Sequence, residues 1–405
     1  MKSLLRATAK ALLAVAVFWM ALAPLGAHGA PGDISELDRE QVGATVDWTH
    51  KSVAKLADGM FVVGWSKKNV SDEAAVAVYS LADGTLSKLA ELNHDDSKGY
   101  AHSIVALDSS HFAITYSDYY NDLQVKTFSY FEGTITQLSH IEVEPGSFYQ
   151  DTTILKLDDG HLLAMGNSGS ELIMYTVSYD GSWQLTPIDS QILASRKPVD
   201  STKSSYSSVM VDSTHFALVY NEVDSDTVLT IGSVNGAYVI ALGASVEMND
   251  GAGGEIWASS ASLIDSTHIL VSMRETVAKN LMVVDLDGSY IPSIVETFGI
   301  TGYGTFGVAM LDSSTMMAMN VSTSDYDLWA MTYTIDGSYQ IAATGESLEY
   351  YTTPTAAYSP EFGFALQDES TLLSFWDAQT ADLNTFLSVF VIEGESTFIP
   401  QITIF

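Results

Sequence analysis

One pattern recurs seven times along this chain: an apolar run, a tight turn such as Asp-Ser-Thr-His, a second run, a polar loop, a third run, a turn such as Asp-Gly-Ser-Tyr, and a fourth run. The copy starting at Ser207, SSVMVDSTHFALVYNEVDSDTVLTIGSVNGAYVIALGASVE, contains every part. The first turn falls at Ala57, Asp108, Asp158, Asp212, Asp265, Asp312 and Asp368, giving spacings of 51, 50, 54, 53, 47 and 56 residues. Seven copies occupy the chain from Ser52 to Phe405, with no composition break or linker between them. The fold must therefore be built from seven equivalent units that bury one another's faces.

The apolar runs are short and rich in Val, Ile, Phe, Tyr, Leu and Thr, which reads as strand and not helix. Both alternating faces are often apolar, as in Phe216, Leu218 and Tyr220 against Ala217 and Val219. A strand buried on both sides needs a sheet on each side, and four-stranded sheets stacked around an axis supply this for every copy. The expected fold is all-β, a seven-bladed β-propeller of four-stranded antiparallel blades. Each blade is expected to be contiguous in sequence, the last ending on an outer strand at Thr397 to Phe405 with Gly43 to Trp48 beside it.

The copies LDSSHFAITY, VDSTHFALVY and LIDSTHILVS, paired with YDGSW, LDGSY and IDGSY, resemble the tandem propeller repeats of secreted bacterial proteins. The resemblance covers nearly the whole chain after its leader and implies the propeller fold, without an activity attached to it. The sialidase Asp-box and the Trp-Asp blade signature are both absent.

Export is the second expectation. Lys2, Arg6 and Lys10 precede an apolar run from Ala11 to Ala23, then Pro24 and the small residues around Ala27-His28-Gly29-Ala30, the layout of a secretory signal peptide. The run is too short to span a bilayer. The expected division is a signal peptide at 1–29, a lead-in at 30–51 and the propeller at 52–405, with the product secreted to the extracellular space or periplasm and not inserted in a membrane. The chain has no Cys, so disulfides cannot staple it. Its 50 Asp plus Glu against 17 Lys plus Arg give a net charge of -33, which repels nucleic acid and anionic membranes.

Two sets of turns are uniform and read as scaffold. In the first, Asp108, Asp212, Asp265 or Asp312 can accept hydrogen bonds from the backbone two residues on. His111, His161, His215 and His268 recur at one position there and read as hydrogen-bonded turn histidines, because equivalent positions in different blades stand far apart around a ring. In the second set, Asp180-Gly181, Asp287-Gly288 and Asp336-Gly337 are the dipeptides of a two-residue type I′ hairpin.

The other connections vary and share one face, at the channel mouth. One aromatic precedes each inner strand: Trp48, Tyr100, Tyr149, Tyr206, Trp257, Tyr303 and Tyr358. This ring reads either as stacking platforms for sugars or as wedges between blades. The second-to-third loops are acidic, and Asp224 and Asp226 are candidate ligands for Ca²⁺. One cluster breaks the repeat: His50, His94, Asp95, Asp96 and His102 gather at the mouth of the first two blades, and of these His50, His102, Asp95 and Asp96 form a candidate metal site.

Beyond the leader the only arginines are Arg39, Arg196 and Arg274, too few for capture of carboxylate or phosphate groups by clustered guanidinium forks. No cofactor motif is present. These residues give the expectation of a secreted, non-enzymatic recognition module whose mouth binds a glycan or a cell-surface protein. Two alternatives stand beside it: an extracellular polysaccharide hydrolase or lyase, and a scaffold within a surface assembly.

Overall fold

The computed structural model describes residues 34–392 apart from 45–51, 68–72, 119–121, 145–151, 169–170, 194–206, 222–226, 249–257, 275–278, 301–302, 323–326, 352–361 and 379–383. The chain divides into two compact units, Ile34–Val391 and the terminal segments Met1–Asp33 with Ile392–Phe405. The second unit, Ile392 apart, lies outside the described residues. Among the described residues the first unit contains twenty-eight strands in seven four-stranded antiparallel sheets, a seven-bladed β-propeller.

In the first blade β2 (Ser52–Ala57), β3 (Met60–Ser66), β4 (Glu73–Ala82) and β5 (Thr85–Lys98) run from the axis outward. The second is β6 (Tyr100–Ala106), β7 (His111–Ser117), β8 (Leu123–Phe131) and β9 (Thr134–Glu144). Blades three to six follow the same order over 152–193, 207–247, 258–299 and 303–351. Alternate side chains of the middle strands go to opposite seams: Phe112, Ile114 and Tyr116 pack against blade one, and Ala113 against blade three. Phe112 and Phe128 stack at 5.1 Å in the first of these seams. The core is thus a ring of seams, each sealed by its neighbours, which is why strands with two apolar faces fit this chain.

The seventh blade corrects the expectation of contiguous blades. β26 (Phe362–Asp368), β27 (Thr371–Ala378) and β28 (Asn384–Ile392) are its first three strands, and the fourth is β1 (Ile34–Ala44), from the stretch read as a lead-in. The expected outer strand at 397–405 lies outside the described residues. β1 fills the outer position with the same side-chain device as its counterparts. Asp38 Oδ2 accepts the Leu86 amide of blade one at 2.7 Å, as Asp189 Oδ2 accepts the Ile240 amide and Ser139 Oγ the Leu185 amide one blade further on. Val42 enters the core of the seam between blades seven and one. Joining the first strand to the last blade closes the ring through sheet hydrogen bonds and not through packing alone.

The uniform turns form clasps between blades. Asp212 Oδ1 accepts the amides of Thr214 and His215, and His215 Nδ1 lies 3.1 Å from the same carboxylate. From the next blade, the Tyr290 ring stacks on His215 at 3.7 Å and its hydroxyl donates to Asp212 Oδ2. Tyr238 holds His161 and Asp158 in this way, and Tyr339 holds His268 and Asp265. Trp183 stacks on His111 at 4.0 Å.

The turns that supply these aromatics are not the expected two-residue type. The Asp180 carbonyl accepts the Trp183 amide, and the positive φ falls on the aromatic, 64° at Trp183, 60° at Tyr238, 58° at Tyr290 and 62° at Tyr339, not on the glycine. The extra residues swing the ring over the preceding blade. Two-residue turns with both central φ positive occur instead at Asp83-Gly84 and Glu132-Gly133.

Candidate functional site

Most of the mouth residues expected to bind ligand or metal lie outside the described residues: Trp48, Tyr149, Tyr206, Trp257, Tyr358, His50, Asp224 and Asp226. Tyr100, His102 and Tyr303 are placed on strands and Asp96 on β5, but their side chains are not described. Asp95 is described, and it anchors a polar cluster between blades one and two.

Asp95 sits near the end of β5, where the chain leaves blade one for the mouth. Its Oδ2 accepts a 2.6 Å hydrogen bond from the Tyr116 hydroxyl and lies 3.4 Å from Lys126 Nζ. The Lys126 ammonium also donates to the His94 carbonyl at 2.7 Å and sits 4.9 Å from the centre of the Tyr116 ring. The His94 ring packs edge-on against Tyr116 and Phe128. Burial, with Asp95 alongside, pushes the Tyr116 hydroxyl far above the usual phenol range, so it remains a donor. The Lys126 ammonium is therefore one cation that faces Asp95. Among the described residues no group of three or more His, Asp or Glu is arranged to hold a metal ion.

Lys126 pairs across the sheet with His140 on β9. His140 Nε2 lies 2.5 Å from Gln124 Oε1, and Gln124 Nε2 donates to Asp118 Oδ2 at 3.0 Å. Only the amide NH₂ can donate to a carboxylate, so the amide oxygen faces the imidazole and the Nε2–H is the donor. In the neutral ring this leaves the lone pair on Nδ1. Partial burial and the Lys126 charge hold His140 below the ordinary imidazole range, against the opposing pull of Asp95 and Asp118. His140 is exposed to solvent, whereas Lys126 is buried. A neutral imidazole with a fixed tautomer, oriented by an amide and a carboxylate, is the arrangement of a general base.

The cluster breaks the sevenfold symmetry. Positions equivalent to Lys126, three residues past the first turn and across the sheet, are Ala77, Tyr175, Thr230, Met282, Met331 and Ser388. Those paired with them in the manner of His140 are Glu91, Ser190, Ser245, Thr297 and Ser347. Lysine and histidine meet in blade two alone among these pairs. Sequence reasoning placed His94 and Asp95 but passed over Tyr116, Gln124, Lys126 and His140. The available signal was a Lys inside the run LQVKTFSYF, where the other copies carry uncharged residues.

No family model and no curated protein matches the chain. Solved structures do. The periplasmic gluconolactonase of Pseudomonas aeruginosa superposes with a TM-score of 0.57 at 14% identity, covering 76% of this chain and 86% of that one. A protein of Lactobacillus plantarum gives 0.56 at 12%, covering 75% and 85%. A candidate 6-phosphogluconolactonase of Bacteroides fragilis gives 0.55 at 11%, covering 86% and 97%. At these identities the likeness is one of fold.

The comparisons correct the expectation of a non-enzymatic recognition module. Two of these three structures are described as a gluconolactonase and a candidate 6-phosphogluconolactonase, which speaks for the enzymatic alternative over the non-enzymatic reading, although neither description names a polysaccharide.

Proposed function

We propose that this protein is a hydrolase that opens sugar-derived lactones. The observation that carries the reading is the Asp118–Gln124–His140 relay beside Lys126, found in a propeller whose structural neighbours are described as acting on gluconolactone and 6-phosphogluconolactone. Hydrolysis of a cyclic ester needs a base to take a proton from water as its oxygen adds to the carbonyl carbon. It then needs a proton returned to the ring oxygen as the ring C–O bond breaks. His140 Nδ1 is the base, and the resulting imidazolium is the acid that returns the proton. Gln124 and Asp118 hold the tautomer. Partial burial and Lys126, one strand inward, hold the imidazole below its ordinary range and so favour the neutral form.

A signal-peptide layout at the N-terminus favours a substrate met outside the cytoplasm. The Pseudomonas neighbour is described as periplasmic. The test is glucono-1,5-lactone consumption by pH-stat titration, corrected for spontaneous hydrolysis. The expected result is turnover that falls on the order of 100-fold in His140→Asn. Wild-type protein that does not exceed the spontaneous rate would overturn the reading.

A further inference from the structure

We infer that the site takes an uncharged sugar lactone and rejects its phosphorylated counterpart, and that the same charges expel the carboxylate product. This rests on the hydrolase reading and concerns which of two chemically distinct substrates the site accepts.

Two further carboxylates, Asp122 and Glu142, stand close to the Asp118 end of the relay. Asp118 Oδ2 accepts the Gln124 amide, its Oδ1 accepts the Asp122 amide at 3.0 Å, and Glu142 follows His140 by two residues on the same face of β9. Their mutual crowding appears at Glu142, whose carboxyl is raised by slight burial and by the charges of Asp122 and Asp118. Asp118 and Asp95 act on the His140 ring against the Lys126 charge, and the exposed Glu142 stands two residues further along the same strand.

Among the described residues, the cations of this seam and its neighbours are engaged. Lys126 is buried, with its ammonium committed to the His94 carbonyl and Asp95. Lys67 and Lys88 belong to blade one, where both pair with Glu91. Arg39 lies on β1, forked onto Glu36 and stacked over Trp376. Phosphate recognition wants several donors converging as a fork or a cluster, and the described residues of this seam offer none. The chain's net charge of -33 adds a long-range repulsion of the same sign.

The consequence differs for the two ends of the reaction. A neutral lactone enters without electrostatic cost, and ring opening converts it to an anion that the same carboxylates repel. A phosphorylated lactone is a dianion on arrival, so the field that clears product would exclude substrate.

The experiment compares initial rates on glucono-1,5-lactone and its 6-phosphate with the full-length protein, at about 10 mM and about 500 mM salt. The free lactone should be preferred by at least roughly tenfold in kcat/KM at low salt, with the ratio shrinking at high salt. Glu142→Lys should move the ratio toward the phosphorylated substrate. A phosphorylated lactone opened as fast as the free one, or a preference insensitive to salt and to Glu142→Lys, would overturn the inference and leave the hydrolase reading intact. If neither lactone is opened, that reading fails and the charge argument is decided by binding. Titration of 6-phosphogluconate should then leave the His140 ring resonances unmoved, and saturable shifts would refute it.

Discussion

Tyr290 and Asp212 belong to successive blades, and the Tyr290 hydroxyl donates a 2.5 Å hydrogen bond to Asp212 Oδ2 while its ring stacks on His215. The same aspartate caps its own turn through the Thr214 and His215 amides. One carboxylate therefore closes a turn and ties two blades together. Wherever this contact is made, an Asp-x-x-His turn in one blade is matched by an aromatic hairpin in the next.

Asp212→Ala removes the acceptor of both functions. Folding free energy should fall by about 1–2 kcal/mol, because several modest, partly solvated hydrogen bonds are lost together. Denaturant unfolding measures this, with the slope unchanged. The effect should be non-additive with Tyr290→Phe, since both remove the same inter-blade bond.

Acid should weaken the scaffold for the same reason. Burial opposes ionisation of Asp212 and Asp265, but hydrogen bonds from Tyr290 to the first, from Tyr339 to the second and from nearby turn amides to both outweigh it, so each carboxyl titrates well below its ordinary value near 3.8. Asp108, Asp158, Asp312 and Asp368 are lowered too. A depressed folded value gives stability that is fully present above pH 4 and lost as pH falls toward the folded values. Melting temperature should be flat above about pH 5 and drop steeply below about pH 4, less steeply in Asp212→Asn.

His140 governs a separate pH dependence. Activity on glucono-1,5-lactone should rise with pH through an apparent pKa below 6.5, the ordinary imidazole value, because only the neutral ring is a base. Lys126→Met removes the nearby positive charge, so the limb should shift to higher pH. Gln124→Leu frees the tautomer, and kcat should fall about tenfold with the melting temperature little changed. A Lys126→Met profile superposable on the wild type would remove Lys126 from the mechanism.

Ring closure depends on β1. Asp38→Ala should cost about 1 kcal/mol by abandoning the Leu86 amide. A chain lacking residues 34–44 should unfold at lower denaturant, and a synthetic peptide of those residues added in trans should restore part of the loss.

Gly232 tests the packing of a seam. A Cβ there would lie 2.1 Å from Cζ of the fully buried Phe216, a contact with no room to relax outward. Gly232→Ala should destabilise by about 2–3 kcal/mol, and Phe216→Leu in the same chain should recover part of it. Thermal unfolding of both variants reads the outcome.

The candidate site was legible only in part. His94 and Asp95 stood out as a charged interruption of a connection, and the structure places them against Tyr116 and Lys126. Gln124 and His140 looked like ordinary strand residues, because alternation marks which face a side chain takes but not which neighbour it meets there. His140 reaches Gln124 through the register of β8 against β9, a pairing two residues out of direct opposition.

The sequence by itself determined the strand period, the sevenfold count and therefore the propeller, since seven copies of a strand pattern with two apolar faces bury those faces only by stacking in a ring. It also determined that the uniform Asp turns are scaffold. Tertiary structure alone decided how the ring closes. The segment ISELDREQVGA carries no repeat turn, so its place as β1 follows from the open edge of β28, where Asp38 then reaches the Leu86 amide of blade one. Tertiary structure also turned the aromatic hairpins into clasps, because the pairing of Tyr290 with Asp212 spans 78 residues and exists only once adjacent blades are stacked.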